Sequence, residues 1–477
     1  MKHQSRFAIF AALLFAATPA STAPSPVEQR MIASIDAEQG RSLGLLERLV
    51  NQNSGSLNLP GVTAVGTMMR AELEPLGFTV EWIDMKQAGR AGHIVARHKG
   101  DGRGKKMLLI GHLDTVFEPD SPFQKWTRQG NWGAGPGAAD DKGGMVVMVA
   151  ALRAMQAAGT LKAADIEIVL TGDEEDSGNP IELARRDLIA AGKRADVALD
   201  YEGLIVDGGR DMGSIARRSS GSWTVSVTAK GGHSSGIFSA QAGNGAIYEL
   251  ARIVDAFRRE VREESLTFNV GLIGGGDSAK LDADRIRAAV TGKTNIIAAT
   301  AVARGDLRAI DQAQIDRTRA KMRAIVARSL PGASASITFD EDGYPPMAVK
   351  PGSVALLAKL NAVNADLNLP PMAALDPLKR GAADISFVAP DVDGGINGLG
   401  PASRGDHSPA EAVDIASIWR QAKRAAILMS RLAATRYTDR VDRGTMPLPI
   451  CRRAISRRRR ASTPRWGLPR GGAIAAG

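Results

Sequence analysis

The chain has 477 residues, of which 44% are hydrophobic and 23% are charged. This composition is typical of a globular protein and excludes fibrous and fully disordered classes. The length exceeds what one hydrophobic core usually serves, so we expect two domains. Aromatic residues make up only 4%, which argues against a stacking platform for single-stranded nucleic acid.

The formal net charge of +10 is concentrated at the C-terminus. From Arg436 onwards there are eleven arginines against two aspartates, which leaves the remainder of the chain near neutral. This segment lacks apolar periodicity, so residues 437–477 are predicted to be a basic disordered tail. One interpretation is an arm for anionic surfaces or nucleic acid. We favour an unselected extension, and we expect no specific nucleic-acid partner.

The N-terminus has the features of a secretory signal. Lys2 and Arg6 precede an apolar run from Phe7 to Ala17, which is too short to span a bilayer. Small residues follow, so residues 1–23 are predicted to be a signal peptide and the protein to be periplasmic or secreted. We expect no membrane anchor after cleavage. Cys451 is the only cysteine, so an internal disulfide is excluded.

Strand and helix patterns alternate in the first part of the chain. Residues 34–76 are mostly helical in pattern, with a loop at "NSGSLNLPG". A helix, "DKGGMVVMVAALRAMQAAG", separates apolar strand candidates: "GHIVARH", "KMLLIG", "DIEIVLTG" and "ADVALDY". Such alternation predicts an α/β domain with a mostly parallel sheet that helices flank.

The pattern changes near Gly213. "SWTVSVTAKGG" alternates polar and apolar residues, as in a half-exposed antiparallel strand. A helix at 245–260, strands near 266–273 and 295–308, a helix at 311–329 and the strand "SASITFD" follow. The first style then resumes, with helices at 351–364 and 410–434. We therefore predict an α+β domain at 214–343, inserted into an α/β domain made of residues 24–213 and 344–436.

Acidic residues and histidines cluster where the predicted strands end. In open parallel sheets the ends of the strands meet at one edge, where functional groups gather. Alone, each residue has an ordinary interpretation as a loop residue or a helix cap. Together, their carboxylates would repel one another unless cations neutralised them. The mixed nitrogen and oxygen ligands suit zinc, with cobalt or manganese as alternatives. The candidates are His112, Asp114, Asp140, Asp141, Glu174, Glu175, Glu202 and His407.

Two of these residues have further expected roles. Asp140 lies in a glycine-rich loop before a helix, from which a carboxylate could bridge two metal ions. Asp114 lies two residues after His112 and could hold the second ring nitrogen of that histidine, which orients it as a ligand.

Six motifs in order now carry a resemblance. "GHLDTV", "GAADDKGG", "TGDEED", "DYEG", "KGGHSSG" and "GDHSPAEAVD" resemble the zinc exopeptidase and deacylase family of glutamate carboxypeptidase, aminoacylase and succinyl-diaminopimelate desuccinylase. The likeness extends from about Arg41 to Ala434 and is closest in type to secreted bacterial glutamate carboxypeptidase. It implies an α/β catalytic domain with two zinc ions per chain and an inserted ferredoxin-like lid that forms a homodimer.

The resemblance also implies roles for single residues. Glu174 corresponds to the general base, and the Asp140–Asp141 peptide would be cis. In the lid, His233 corresponds to a histidine that reaches the partner subunit's site and stabilises the oxyanion. The implied metal ligands are His112, Asp140 as the bridge, Glu175, Glu202 and His407.

Substrate-binding residues are implied in the same way. Asn295 and Arg308 correspond to lid residues that grip the substrate, with Arg308 as a carboxylate fork. Gly398 and Gly400 would let the substrate backbone approach, although a simple turn is the alternative. Glutamate-specific members carry an arginine six residues before the position of Asp384, where this chain has Leu378. Lys379 and Arg380 are shifted from that position, so strict glutamate specificity is not expected.

We therefore expect a secreted di-zinc metallohydrolase that releases a C-terminal amino acid from a small peptide. An N-acyl-amino-acid deacylase or dipeptidase using the same site is the near alternative. A non-catalytic metal-binding or peptide-binding protein is the remote one.

Overall fold

The computed structural model describes residues 23–435. The predicted signal peptide and basic tail fall almost wholly on residues 1–22 and 436–477, outside the described residues. Within the described part of the chain, every helix is too short or too polar to cross a membrane.

The strands are numbered in chain order: β1 Thr79–Asp84, β2 Gly92–His98, β3 Met107–His112, β4 Thr127–Gln129, β5 Trp132–Ala134, β6 Ile166–Thr171, β7 Val197–Asp200, β8 Val206–Asp207, β9 Arg210–Gly213, β10 Gly221–Ala229, β11 Gly232–His233, β12 Thr267–Phe268, β13 Leu272–Gly276, β14 Ser278–Leu281, β15 Ala288–Thr291, β16 Ile296–Ile297, β17 Thr300–Arg308, β18 Ala333–Phe339, β19 Ala373–Ala374, β20 Gly394–Asn397, β21 Ser403–Arg404 and β22 Ala412–Asp414.

The α-helices are numbered likewise: α1 Pro26–Ala37, α2 Gln39–Asn51, α3 Leu59–Leu73, α4 Lys142–Ala158, α5 Ile181–Ala184, α6 Arg186–Arg194, α7 Gly245–Glu260, α8 Gln312–Val326, α9 Pro351–Asp366, α10 Ile385–Val388 and α11 Ile415–Ala434.

The main sheet has the strand order β1-β2-β6-β3-β7-β20. Strand β3 lies between β6 and β7 and is parallel to both, and β20 is parallel to β7. Toward the other edge, β2 is antiparallel to both of its neighbours, β1 and β6. The predicted α/β class with a mostly parallel sheet is therefore confirmed.

Both faces of the main sheet are covered, which explains why its central strands are apolar throughout. On β3, Leu109 packs into a large core that includes much of α4 and α11. Leu108 and Ile110 face the opposite side and pack with residues of α6 and α10. The strands are thus fixed between two layers of helices, and their ends can place side chains with little freedom.

A second, separate core lies in the segment between β9 and α9. Strands β12, β17, β10 and β18 form an antiparallel sheet. Trp223, Val225 and Val227 of β10 are buried against α7 and α8, as their alternation with polar residues predicts. The boundaries 214–343 for this inserted lid stay a prediction.

Two segments connect the main sheet with the second core and pair with each other. Arg217 and Met347 exchange two backbone hydrogen bonds of 2.9 Å. Further along, the amide of Ser220 donates to the carbonyl oxygen of Tyr344 at 3.0 Å. The chain therefore leaves and re-enters the main sheet through one hydrogen-bonded pair of segments.

The last helix differs from its predicted start at Ala410. Residues 412–414 form β22, which pairs with β5, and α11 begins at Ile415. Asp414 caps the helix, because its side chain accepts a hydrogen bond from the amide of Ala416 at 3.1 Å. The apolar periodicity that suggested an earlier start belongs partly to a strand.

Candidate metal centre

Three parallel strands bring the candidate residues to one edge of the main sheet. His112 is the last residue of β3. Glu174 follows β6 and Glu202 follows β7, the two neighbours of β3. Asp140 lies immediately before α4, next to Asp141, the N-cap of that helix. The sheet order alone thus gathers these side chains.

Asp140 faces two histidines. Its Oδ1 lies 3.0 Å from Nε2 of His112, and its Oδ2 lies 3.1 Å from Nε2 of His407. The Asp140–Asp141 peptide is cis, as the resemblance implies. Each oxygen of the Asp140 carboxylate therefore faces a different imidazole, so the carboxylate lies between the two histidines.

Glu175 completes the cluster. Its Oε1 lies 3.3 Å from Nε2 of His407. Ligand atoms of His112, Asp140 and Glu175 all lie within 4.8 Å of one another. Two imidazole nitrogens and two carboxylates thus converge on one small space, and such a donor set suits zinc.

The orientation of His112 is set by Asp114. Nδ1 of His112 lies 3.1 Å from the backbone oxygen of Asp114 and 3.4 Å from its Oδ1. Since these oxygens can only accept, Nδ1 carries the proton, and Nε2 is left free to act as a ligand.

Asp114 is fully buried and also shapes the turn after β6. Its Oδ1 accepts the amide of Glu174 at 3.0 Å, and its Oδ2 accepts the amide of Glu175 at 3.1 Å. Ser56 donates its hydroxyl to Oδ2 at 2.5 Å. One carboxylate therefore positions both a histidine and two glutamates.

The site concentrates negative charge. Burial, and then the charge of Glu202, raise the pKa of Glu174 well above its ordinary value. Burial likewise raises the pKa of Glu175 to about 7, against a hydrogen bond from His407. Hydrogen bonds to Asp140 and Glu175 raise the pKa of His407 to about 11. The position of the imidazole is therefore one that strongly stabilises positive charge.

Glu202 is engaged by two arginines. Its Oε2 accepts hydrogen bonds from Arg217 at 2.7 Å and from Arg380 at 3.1 Å. Glu202 is buried. Its charge helps to raise the pKa of Glu174, so the two carboxyl groups are near each other. In this structure the arginines, and not the histidines, are its direct partners.

His233, the histidine of the predicted lid, lies on β11, in the segment that contains the second core. His233 pairs with Ile296 in the short β11–β16 ladder. Its Nδ1 lies 2.8 Å from the hydroxyl of Ser235, and the ring is exposed. Within residues 23–435, no hydrogen bond or ion pair joins it to the metal cluster of the same chain.

The two other lid candidates are also accessible. Asn295 is exposed just before β16. Arg308 ends β17, where its Nε donates to Asp306 at 3.1 Å. A guanidinium nitrogen of Arg308 also approaches Gly381, in the loop that carries Arg380.

Gly398 and Gly400 have structural contacts that account for glycine. The carbonyl oxygens of both accept hydrogen bonds from Gln421, at 2.9 and 2.7 Å. A Cβ at Gly400 would lie 2.0 Å from the carbonyl oxygen of Tyr201, so only glycine fits there. Their role in binding substrate stays a prediction.

The shifted basic residues are already paired. Leu378 is 43% exposed, and Lys379 forms an ion pair with Asp207 at 2.6 Å. Arg380 is bound to Glu202 and to the carbonyl of Gly203. Neither of these two side chains is therefore free at the position of Leu378, whereas Arg218 donates to the carbonyl oxygen of Leu378 at 3.4 Å.

Sequence reasoning missed several residues that support the site. Glu411 accepts the amides of Ala139 at 2.9 Å and Asp140 at 3.3 Å. Its position four residues after His407, in "HSPAE", was the available signal. Ser56, which touches Asp114, lies in the predicted loop "NSGSLNLPG" with no signal of its own. The remaining supporting residues, which contact the site or its turn, are Arg185, Arg217 and Tyr344.

A mixed nitrogen and oxygen cluster at the strand ends of an α/β sheet, beside a buried carboxyl group of raised pKa, defines a metal-dependent hydrolase. Comparison with known families agrees. The chain belongs to Peptidase family M20/M25/M40, whose sequence profile matches residues 108–431. It is accordingly a peptidase or amidohydrolase enzyme.

Individual relatives cover most of the chain. Carboxypeptidase G2 of Pseudomonas sp. (strain RS-16) is 29% identical over 439 residues, which are 89% of this chain and 97% of that protein. A succinyl-diaminopimelate desuccinylase of Acidiphilium cryptum is 29% identical over 334 residues, 68% of this chain and 81% of that protein.

Among solved structures, a dinuclear metal binding peptidase of the M20 family from Bacillus subtilis has the same fold. It superposes with a TM-score of 0.58 at 15% sequence identity and covers 84% of this chain and 99% of its own.

Proposed function

We propose that the protein is an exported di-zinc carboxypeptidase that releases a C-terminal amino acid from a small peptide. The observation that carries the proposal is the placement of Asp140, whose two oxygens face His112 and His407 separately. A carboxylate placed in this way can bridge two metal ions. The similarity to carboxypeptidase G2 supports the kind of substrate.

The residues fit two zinc ions on grounds of charge and donor chemistry. Carboxylates outnumber the cationic groups around the cluster, and they raise the pKa of His407 to about 11. A divalent cation would take over this positive charge and leave both imidazoles neutral, as ligands must be. His112, Asp140 and Glu202 would hold one ion, and Asp140, Glu175 and His407 the other. Zinc is favoured by the donor set, with cobalt and manganese as substitutes.

When bound, zinc supplies Lewis acidity, which makes water more acidic and polarises the scissile carbonyl. The side chains of the chain perform the remaining work. Glu174 accepts a proton from the attacking water and returns it to the leaving nitrogen. Its buried surroundings raise its pKa, which makes its carboxylate a stronger base. Asp114 keeps the ring of His112 in the ligand tautomer.

Arg308 is the proposed contact for the C-terminal carboxylate. Its only ion pair in the described residues is with Asp306 on the same strand, at 3.1 Å. Arg218 lies nearby, because its own pKa is lowered first by burial and then by the charge of Arg308. Two guanidinium groups repel each other next to the loop of Gly381. A substrate carboxylate bound between them would neutralise this positive charge.

The second candidate is an N-acyl-amino-acid deacylase or dipeptidase on the same site. The similarity to a succinyl-diaminopimelate desuccinylase favours it. So does Leu378 itself, because it stands where glutamate-specific members carry an arginine. Both candidates share the bond broken, the metals and the base, and they differ only in the group on the acyl side.

We further propose that the chain is exported and acts as a homodimer. The basic, then apolar, sequence of residues 1–23 supports export. Dimerisation through the lid is supported by exposed apolar residues on α7 and on the edge strand β13. Phe238 is 63% exposed and stacks with Tyr248, which is 54% exposed, at 5.6 Å between ring centroids. Ile247 on α7 and Ile273 on β13 are also exposed to solvent.

The test is a panel of substrates assayed with the zinc-loaded enzyme. Dipeptides, longer peptides and N-acetyl or N-succinyl amino acids are each supplied with a free and an amidated C-terminus. A carboxypeptidase cleaves peptides with free carboxylates and loses turnover on amidation. Preference for N-acyl amino acids supports the second candidate, and turnover of no member contradicts both.

Two variants sharpen the assay. Arg308→Gln should raise KM by about 10- to 100-fold for free-carboxylate substrates, because a charged hydrogen bond to substrate is lost. Arg287→Gln, which removes an exposed arginine paired with Asp282, is the matched control and should leave KM unchanged.

A further inference from the structure

Arg185 is a fully buried arginine that the proposed mechanism does not use. Its Nε donates to Asp384 at 2.7 Å, and its Nη1 donates to Asp173 at 2.6 Å. The remaining nitrogen, Nη2, donates to the backbone oxygen of Asp173 and to the hydroxyls of Ser177 and Tyr344. The guanidinium thus spans the turn of residues 173–177 that carries Glu174.

The hydroxyl of Tyr344 connects this arginine to Glu174. It accepts from Arg185 at 2.7 Å and lies 2.9 Å from the backbone oxygen of Glu174, which can only accept. The single proton of Tyr344 is therefore donated to Glu174, and Ser177, at 3.1 Å, must donate to Tyr344. Burial raises the pKa of Tyr344, so the hydroxyl keeps its proton.

Aromatic packing holds the same unit in place. The rings of Tyr344 and Phe387 lie 4.8 Å apart, edge to face, and the guanidinium of Arg185 lies 5.6 Å from each ring centroid. Such contacts restrict the tyrosine to one rotamer. Its hydroxyl is accordingly fixed relative to the turn after β6.

Tyr344 also belongs to the connection between the main sheet and the second core. Its backbone oxygen accepts the amide of Ser220 at 3.0 Å, across the two paired connecting segments. A cavity of about 240 Å³ lies beside this pairing and is lined by both segments and by α8. Tyr344 thus contacts the connection through its backbone and the turn of Glu174 through its side chain.

We propose that Tyr344, held by Arg185, is a positioning residue that fixes the backbone of Glu174 to the connection between the two cores. This inference rests on the proposed function, since it assigns the positioned group as the base. Asp114 holds the turn by accepting the amides of Glu174 and Glu175. Tyr344 holds it by donating to the carbonyl oxygen of Glu174. Both attachments are needed to hold the backbone from which the Glu174 side chain extends.

The test compares Tyr344→Phe with Tyr201→Phe. The first variant keeps the ring and removes only the hydroxyl. The second removes another buried hydroxyl, whose one hydrogen bond within the described residues goes to the sulfur of Met429 at 3.5 Å. In the zinc-loaded enzyme, Tyr344→Phe should lower kcat by about 10-fold, because a small misplacement of the base costs rate. KM should change by less than about twofold, and the metal content should stay at that of wild type.

Hydrogen exchange on the metal-free protein gives a readout that does not depend on catalysis. Peptides covering residues 172–178 should exchange about 10-fold faster in Tyr344→Phe than in wild type, because local opening becomes easier. Tyr201→Phe should match wild type in both measurements.

Unchanged exchange and unchanged kcat in Tyr344→Phe overturn the proposal. A loss of kcat accompanied by loss of zinc also overturns it, since that pattern indicates general damage to the site. Failure of the proposed function is distinguishable: Glu174→Gln would then retain turnover, whereas the exchange result for Tyr344→Phe does not involve turnover.

Discussion

At the scale of single residues, the geometry of the candidate metal centre depends on the hydrogen bonds that a few carboxyl groups accept. Asp114 uses its oxygens for Ser56 and for the turn after β6, and its backbone oxygen for His112. Glu411 plays a similar part for the loop of Asp140. Carboxyl groups that accept from backbone amides fix geometry, because a buried amide left without an acceptor is costly.

Glu411 provides a prediction about metal affinity. Glu411→Ala should weaken zinc binding by about 10- to 100-fold, because the amides of Ala139 and Asp140 lose their acceptor. Glu411→Gln keeps an acceptor oxygen and should weaken binding by less than about 10-fold. Competition with a chromophoric chelator measures both. Equal affinities for wild type and the alanine variant would show that the loop of Asp140 holds its shape unaided.

The residues that the sequence could predict are those with local chemical signals. His112, Asp140 and Glu175 each follow a recognisable strand or precede a recognisable helix, so their positions at the sheet edge could be anticipated. Arg185 and Tyr344 could not, because they are 159 residues apart in sequence and meet only in the folded chain. Their neighbours in sequence, "ARRDL" and "GYPP", resemble ordinary surface segments.

At the scale of elements, the parallel register of β6, β3 and β7 does most of the assembly. Alternation and apolar runs predicted these strands, α4 and α7 within a few residues of their observed bounds. The small ladders were not predicted, since strands of two or three residues such as β22 carry too little periodicity to recognise. The early start assigned to the last helix is one consequence.

The loop after β20 is packed too closely at Gly400 for any side chain. Gly400→Ala should lower the free energy of unfolding by about 1–3 kcal/mol, because the new methyl group would overlap the carbonyl oxygens of Tyr201 and Glu202. Gly44→Ala, inside α2, is the control. Its nearest non-neighbouring atom is 3.7 Å away on the flexible Arg48, so it should stabilise by about 0.5–1 kcal/mol. Denaturant unfolding distinguishes them, and a neutral Gly400→Ala would contradict the packing described.

At the scale of the whole molecule, the chain has two separate cores that are connected by one pair of segments. The candidate metal ligands lie at the edge of the main sheet, whereas His233 lies on β11, in the segment that contains the second core. Length predicted more than one core, and the change of strand pattern near Gly213 predicted where the insertion begins. The homodimer stays a prediction that the resemblance implies, because dimerisation depends on a surface and not on periodicity.

A complementation experiment tests whether His233 serves the partner subunit. Homodimers of His233→Ala and of Glu174→Gln should each be nearly inactive. Random mixing makes half of the dimers hybrid, and each hybrid has one intact site. Turnover should therefore recover to about a quarter of wild type, for closed two-fold pairing and independent sites.

Differently tagged copies confirm the exchange of chains in that experiment. Confirmed hybrids without recovered turnover would show that His233 acts within its own chain or has no role. A strictly monomeric protein would exclude the exchange of residues between subunits altogether.

If two metal ions and Glu174 together hydrolyse the amide bond, removal of the base alone should abolish turnover without loss of metal. Zinc-loaded Glu174→Gln should contain two zinc ions per chain, like wild type, and lose about 10²–10⁴-fold in kcat, because only the general base is removed. Asp176→Asn, in the same turn but paired with Arg90, should be unaffected in both respects. Metal analysis and turnover on the best substrate of the panel are measured on the same samples. A Glu174→Gln enzyme with its metals in place and near-normal kcat would contradict the account.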